Sequence, residues 1–437
     1  MELTALPTIR VAAADLNGQM RGKRMAGAGA DKIAAGLRMP LSALNVDVTG
    51  ADIEGSPLLF ETGDADGILK PTGRGPVPMP WLSGRTALEP LWMFHENGAP
   101  FAGDPRHALA GVSARLAARG LTAQAAVEME FYLIDDADTA LAPPASPLSG
   151  RRLSTSAVLD LRQLDAFDAF FTDLYEAAGA MGIPAEAAIS ESGLGQFEVT
   201  LHHQDALRAA DDAWLFKVLV RGLARRHGMA ASFMAKPFAD QPGNGMHVHV
   251  SIWDGDGRNI FDDGAPQGTE ALRHAVAGCL GSMAGATLIF APHANSYTRL
   301  VPGAHAPTGA AWAYENRTAA IRIPGGPASA RRIEHRVAGG DVNPYLLLTV
   351  ILGSILTGLE DAAPPPAPIT GNAYELDLPG LAADWESAIA GFESDPVMAR
   401  IFPAELIANL AMTKRQELAL FAGVPAERHW TYLLETV

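Results

Sequence analysis

The sequence predicts an α+β protein, with a small β-rich region over residues 1–103 and, over residues 104–437, strands and helices built around one large sheet. Three observations predict it. Up to about residue 103 the chain is rich in Gly and Pro, with short apolar runs such as Leu41 to Val48 between turn signals. Asp104-Pro105-Arg106 then opens a helical pattern over His107 to Arg119, with Asp104 as cap and proline at the first helical position. Finally, 437 residues that are 48% hydrophobic and 19% charged are enough to bury two or three domains' worth of core.

Beyond that junction, strand and helix patterns follow one another. Ala125 to Ile134 reads as strand, Leu159 to Met181 as helix, Gln196 to Leu201 as strand and Ala206 to His227 as helix. His247 to Trp253 is a strand, Ala271 to Phe290 a helix, and Ala319 to Pro324 and Arg332 to Val337 two further strands. Pro344 to Leu359 is a helix; its apolar part is too short for a membrane span and carries Thr349, Gly353, Ser354, Thr357 and Gly358, which fits a packed core helix. Ala362 to Gly380, with Pro364, Pro365, Pro366 and Pro368, reads as a loop before a helical tail.

Charge narrows the partners. Thirty-three basic against 49 acidic side chains give a formal charge of −16, which argues against broad contact with nucleic acid or anionic membrane and makes cationic small molecules the more natural partners. The single cysteine, Cys279, allows no internal disulfide and no cysteine-based zinc site, and reads as a small buried hydrophobe. Met1 to Val11 lacks a basic patch followed by an apolar run, so a cytoplasmic location is expected.

Three segments share one construction, ionisable residues two apart among apolar neighbours. They are Val127-Glu128-Met129-Glu130, Gly243-Asn244-Gly245-Met246-His247-Val248-His249 and Arg332-Ile333-Glu334-His335-Arg336. On a strand, residues i and i+2 face the same side, so each segment aims its charged groups into one cavity. Glu128 and Glu130 are stable side by side only if a cation neutralises them; taken alone, they equally describe an edge strand showing two glutamates to water. His247 and His249 suit a divalent metal and a phosphate oxygen, although each alone is as well read as a core histidine bonded to backbone. Arg332, Glu334 and Arg336 mix a metal ligand with anion clamps, or form a salt-bridged strand face.

Two more segments add to this set. Glu191-Ser192-Gly193-Leu194-Gly195-Gln196-Phe197-Glu198 places two carboxylates on either side of a tight glycine turn that lets backbone approach a ligand. Asn295 to Gly303, continuing to Asn316-Arg317 and Ile321-Arg322-Ile323, supplies Arg299, Arg317 and Arg322 around a Gly/Pro/Ala loop, which suits a substrate with several negative oxygens.

These five segments, in this order and spacing, resemble the glutamine synthetase superfamily, and the resemblance covers essentially the whole chain, including Lys414, Glu417 and Phe421 near the C-terminus. Within it the chain looks most like the gamma-glutamylpolyamine synthetase branch, through Asp15-Leu16-Asn17-Gly18, Arg21-Gly22-Lys23, and Arg332 to Asp341 followed by Asn343-Pro344-Tyr345-Leu346. The resemblance implies a small β-grasp-like N-terminal domain, a catalytic domain with a curved antiparallel sheet and flanking helices, and a homo-oligomer, commonly a dodecamer of two stacked hexamers. It implies two or more Mg²⁺ or Mn²⁺ ions, one at Glu130, Glu191 and Glu198 and another at Glu128, His247 and Glu334. By the same resemblance His249, Ser251, Arg322 and Arg332 contact ATP, Arg299 and Arg336 with Asn244 and Gly245 hold L-glutamate, and Arg317 stabilises the phosphoryl group in transfer.

One departure bears on the nucleophile. Ammonia-using members carry a glutamate shortly after the Arg-Leu-Val-Pro-Gly segment, whereas this chain has His305. A histidine with an ordinary pKa of about 6.5 is mostly neutral near pH 7, so ammonium loses an anionic anchor. The family's second ammonium ligand, an aspartate in the N-terminal domain, corresponds to Asp47. The expected activity is therefore ATP-dependent ligation of an organic amine to the γ-carboxylate of glutamate. Its rivals are a true glutamine synthetase using ammonia and a catalytically silent binding or regulatory protein; the full set of six metal ligands disfavours the silent form.

Overall fold

The computed structural model describes residues 1–137, 140–303 and 306–437 and contains two sheets. The first has six strands: β1 (Thr8–Ala14), β2 (Met20–Ala26), β3 (Leu37–Pro40), β4 (Asp66–Pro71), β5 (Val77–Pro78) and β6 (Thr86–Phe94), in the order β2-β1-β6-β4-β3 with β5 on β6. Its central pair, β1 and β6, is parallel, and the other pairs are antiparallel, which is the β-grasp-like arrangement. Leu41 to Val48 is not a strand: Leu41–Leu44 is a 3-10 turn. The Asp47 carboxylate then collects the amides of Thr49 and Ala51, an Asx-type bend that competes with strand pairing.

The second sheet has eight strands: β7 (Leu121–Ile134), β8 (Ala185–Ser190), β9 (Gln196–Asp205), β10 (Ala230–Ser232), β11 (Met246–Asp254), β12 (Trp312–Tyr314), β13 (Ile321–Ile323) and β14 (Ile333–His335). Their order is β12-β13-β14-β11-β7-β9-β8, with β10 on β7. All pairs are antiparallel except β12 with β13, a parallel edge pair.

Helices back this sheet. Asp104 caps the helix Pro105–Ala117 by accepting from the Arg106 amide, with proline at the first position as expected. Leu159 to Met181 is two helices, Leu161–Ala166 and Asp168–Met181, broken at Phe167, which leaves helical geometry (φ −110, ψ 24) while its ring fills the core. The expected helix over Ala271 to Phe290 is likewise Glu270–Gly281 and Thr287–Phe290. Gly285 lies between them, where an added Cβ would stand 2.2 Å from Asp395 Oδ2. Pro344–Asp361 is long and apolar enough to cross a membrane by composition, yet 83% of it is buried, so it is the core helix its small residues indicated. Cys279 is buried with it in the main apolar core, which also takes in Ala12, Leu16 and Leu88 from the first sheet.

A buried polar joint fastens the first sheet's loops to the C-terminal helices. Asn17 donates to Glu417 Oε1 at 2.7 Å and accepts from Lys414 at 2.5 Å, and the Val48 amide donates to the same Glu417 oxygen at 2.8 Å. Asn343, the cap of Pro344–Asp361, donates to the carbonyls of Asp15 and Leu16 at 3.0 and 3.2 Å. Asp15-Leu16-Asn17-Gly18 and Asn343-Pro344 are thus two halves of one contact, far apart in sequence.

Candidate active site

Strand register assembles the acidic face. On β7, Glu128 stands opposite His247 of β11, and Glu130 opposite Glu198 of β9. One step along, His249 of β11 pairs with Glu334 of β14, and Glu334 with Arg322 of β13. Residues directly opposite in a sheet share a face, so the period-two pattern within each segment becomes a patch across five strands. Ligand atoms of Glu128, His247 and Glu334 lie within 4.8 Å of one another, as do those of Glu130, Glu198 and His247; the imidazole of His247 belongs to both groups.

The turn before β11 is held from below. Gln196, fully buried, donates to Asn244 Oδ1 at 3.0 Å and to the Gly243 carbonyl at 2.9 Å, and the Tyr132 hydroxyl donates to the Pro242 carbonyl at 2.8 Å. Asn244 donates in turn to the carbonyls of Ser232 and Met234. Its amide nitrogen thus bonds backbone and its oxygen Gln196, which fixes the turn at a residue expected to hold substrate. Gly245 does face the site: its amide donates to Glu130 Oε2 at 2.7 Å. A Cβ there would meet Arg299 Nη2 at 3.0 Å, His247 Nε2 at 3.2 Å and Glu130 Oε1 at 3.4 Å. Gln196 and Tyr132 were not singled out by sequence; the only available signal was a polar residue between Glu191 and Glu198, on a strand whose next residue is core.

Electrostatics mark the patch as short of cations. Burial raises Glu198, and Glu128, Glu130 and Glu191 raise it further, to about 9; no donor reaches its carboxyl among the described residues. Burial and Glu130 lift Glu191 to about 7, with Arg317 pulling the other way. Burial also acts on Glu128, but hydrogen bonds with His247 (3.1 Å) and His249 (2.9 Å) hold it far below the usual carboxylate range. Glu334, almost wholly buried, pairs with Arg322 at 2.6 Å and with Arg336. Five carboxylates and an imidazole are oxygen-rich, hard donors, a set that fits Mg²⁺ or Mn²⁺.

The basic residues ring this patch. Arg299 is buried beside Gly245 and donates to the Val337 carbonyl at 2.7 Å. Arg336 Nε donates to the Arg317 carbonyl at 3.2 Å, while the Arg317 side chain is exposed near Glu191. Arg332 donates to His249 Nδ1 at 3.1 Å. A cavity of about 490 Å³ opens from there, lined by Glu128, Thr200, His203, His249, Ser251 and Arg332, so three of the four residues expected to contact ATP share one concavity. Arg322, the fourth, is not among the lining residues and pairs with Glu334. Glu186, His202 and Asn259 also line that cavity and were not anticipated.

One expected residue, Asp47, is not brought to the patch within its own chain. Asp47 lies on the first sheet's side, its carboxylate engaged by Thr49, Ala51 and Gln416 Nε2 (2.9 Å), with no bond to the acidic face of its own chain among the described residues. His305 lies outside the described residues. His335 points away from its neighbours Glu334 and Arg336, into the core against Phe290, the fate of a core histidine.

Residues 102–432 match the family profile described as glutamine synthetase, catalytic domain. The chain is 35% identical over 428 residues to the gamma-glutamylputrescine synthetase of Escherichia coli, covering 96% of this chain and 90% of that one. It is 31% identical over 423 residues to the gamma-glutamylethanolamide synthetase of Streptomyces coelicolor, covering 95% and 90%. Among solved structures, a complex of GmaS with ADP superposes with a TM-score of 0.85 at 29% identity, over 98% of this chain and 97% of that one.

Proposed function

The chain belongs to the glutamine synthetase family, and on that premise we propose that it joins an organic amine to the γ-carboxylate of L-glutamate with ATP, through γ-glutamyl phosphate. The observation that carries the reading is the alignment of Glu128, Glu130, Glu198, His247 and Glu334 on one sheet face beside a nucleotide-sized cavity. Divalent cations of the Mg²⁺ or Mn²⁺ kind, when bound, would neutralise the repulsion between two anionic substrates. Glu130, Glu191 and Glu198 would hold one and Glu128, His247 and Glu334 another.

Arg299, Arg336 and the Gly245 backbone orient glutamate so that a γ-carboxylate oxygen attacks the γ-phosphorus of ATP and ADP departs. His249, Ser251, Arg322 and Arg332 bind the nucleotide, and Arg317 stabilises charge on the phosphoryl group in transfer. The amine nitrogen then attacks the acyl carbon and phosphate leaves. His305 and Asp47 are assigned to the amine, His305 because a neutral imidazole there favours an alkylamine over ammonium. A chain carbon recovers roughly 0.8 kcal/mol per buried methylene, which ammonia cannot.

We place the boundary between the N-terminal and catalytic domains at 103/104 and the protein in the cytoplasm, as a homo-oligomer of the dodecameric family type. The test is phosphate release with ATP and glutamate against putrescine, ethanolamine, short alkylamines and ammonium. At least one organic amine is expected to exceed ammonium in kcat/KM, and His305→Glu to narrow that gap. A parent enzyme that prefers ammonium over every amine would instead be a divergent glutamine synthetase.

A further inference from the structure

Away from the acidic face, a cleft of about 640 Å³ lies between the loop before β6 and the C-terminal end of the helix Ala206–Arg226. Its apolar wall includes Met20 and Leu82; its other wall carries Arg221, Arg225 and Arg226, against a single lining carboxylate, Glu435. Glu435 is already bound by Arg225, which also holds Asp136 at 2.7 Å. Among the described residues Arg226 makes only a 3.3 Å bond to the Pro80 carbonyl.

Arg221 is the unusual member. Its Nε and Nη2 are buried without a hydrogen-bond partner among the described residues, and its nearest compensation is the face of Phe233, 5.3 Å away. Burial lowers it to about 10, with Glu435 acting in the opposite sense. A desolvated guanidinium lacking its bonds is destabilising, and replacing it by an apolar side chain would relieve that.

Trp81 forms the rest of the wall. The helix carries Gly222 where an added Cβ would lie 2.3 Å from Trp81 Cδ1, so a residue disfavoured in a helix interior seats the indole against the backbone. A fixed aromatic surface beside the unsatisfied Arg221 guanidinium and the exposed Arg226, in a chain of net charge −16, is built for a planar anion.

We propose that this cleft is a second ligand site, separate from the catalytic face, which takes a small organic anion with a planar body on Trp81 and a phosphate or carboxylate group on Arg221. The probe is phenyl phosphate, with benzoate and inorganic phosphate beside it. Each is titrated calorimetrically into the full protein while saturating ADP, Mg²⁺ and glutamate occupy the catalytic cavity. Phenyl phosphate is expected to bind at least tenfold more tightly than inorganic phosphate, and the benzoate arm separates carboxylate from phosphate preference. Arg221→Met should weaken phenyl phosphate tenfold or more, raise the melting temperature and leave amine-dependent turnover unchanged. Trp81→Leu should weaken phenyl phosphate severalfold and leave inorganic phosphate as it was. Should Arg221→Met fail to fold, Arg226→Ala, at an exposed position, should still weaken phenyl phosphate several-fold. No saturable binding by the parent, equal binding by Arg221→Met, or a changed sedimentation coefficient in that variant would overturn the proposal, the last by making Arg221 a contact between subunits.

Discussion

Two buried polar clusters in this protein are built from similar side chains and behave differently. At the joint between the first sheet's loops and the helix Ala404–Ala422, one carboxylate, Glu417, receives Asn17, Lys414 and the Val48 amide, and only burial acts to raise it. On the catalytic face, Glu128, Glu130, Glu191, Glu198 and Glu334 crowd together, and Glu198 is raised by three other carboxylates besides burial. The joint is balanced within the chain. The acidic face is not, and a divalent cation bound there would supply the missing charge. Internal balance separates the structural cluster from the functional one better than burial or residue type does.

Substitutions in the two clusters should therefore fail in opposite ways. Glu130→Ala should lower phosphate release about a thousandfold or more, the several kcal/mol that charge neutralisation contributes to phosphoryl transfer, with the melting temperature maintained. Turnover within a few-fold of the parent would remove Glu130 from the metal site. Glu417→Ala should do the reverse. Leaving Lys414 buried without its carboxylate costs about 3–5 kcal/mol, so denaturant unfolding should shift strongly, while protein that remains folded keeps the parent's KM for glutamate.

A finer comparison lies among the arginines on Glu334. Arg336→Ala should raise the glutamate KM by about thirtyfold, near 2 kcal/mol for a lost charge-assisted contact, and leave the ATP KM nearly alone. Arg322 still neutralises Glu334 in that variant, so folding should survive. A change confined to the ATP KM would move Arg336 to the nucleotide.

The smallest effect is on pH and stability. Glu191 and Glu198 sit above their ordinary value of 4.5 in the metal-free fold, so the folded chain holds protons that the unfolded chain has released. Their contribution is complete below about pH 4.5 and is lost as pH rises through about 7 for Glu191 and about 9 for Glu198. The metal-free protein should lose stability across that window, and saturating Mg²⁺ should flatten the slope. Melting curves with and without chelator, from pH 5 to 9, should diverge by a few degrees; parallel curves would mean the carboxyls do not bind the ion.

Much of this face was legible because strand periodicity is local. Two glutamates or two histidines two residues apart announce a shared side wherever the strand pairs. What the sequence did not reveal was register. Nothing in Val127 to Glu130 says that Glu128 will face His247, or that His249 will face Glu334, because each pairing joins segments far apart in the sequence. Asn244 shows the same limit: next to a glycine turn it resembles a ligand contact, and only the fold shows its amide nitrogen on the Ser232 and Met234 carbonyls and its oxygen on Gln196. The helix breaks at Phe167 and Gly285 were illegible because tertiary packing decides them, the core taking one ring and Asp395 excluding a side chain at the other. Asp15 to Gly18 was noticed as a family resemblance and explained only by its partners at Asn343, Lys414 and Glu417.

The most direct test of the central claim, that the unbalanced carboxylates form a divalent-metal site, is calorimetric titration of Mn²⁺ into chelator-treated protein, parent and Glu130→Ala in parallel. The parent should take up two or more equivalents per chain in saturable steps with release of protons near pH 8, since Glu198 must deprotonate to bind. Glu130→Ala should lose at least one equivalent. Absence of saturable uptake by the parent, or the same stoichiometry in both proteins, would contradict it.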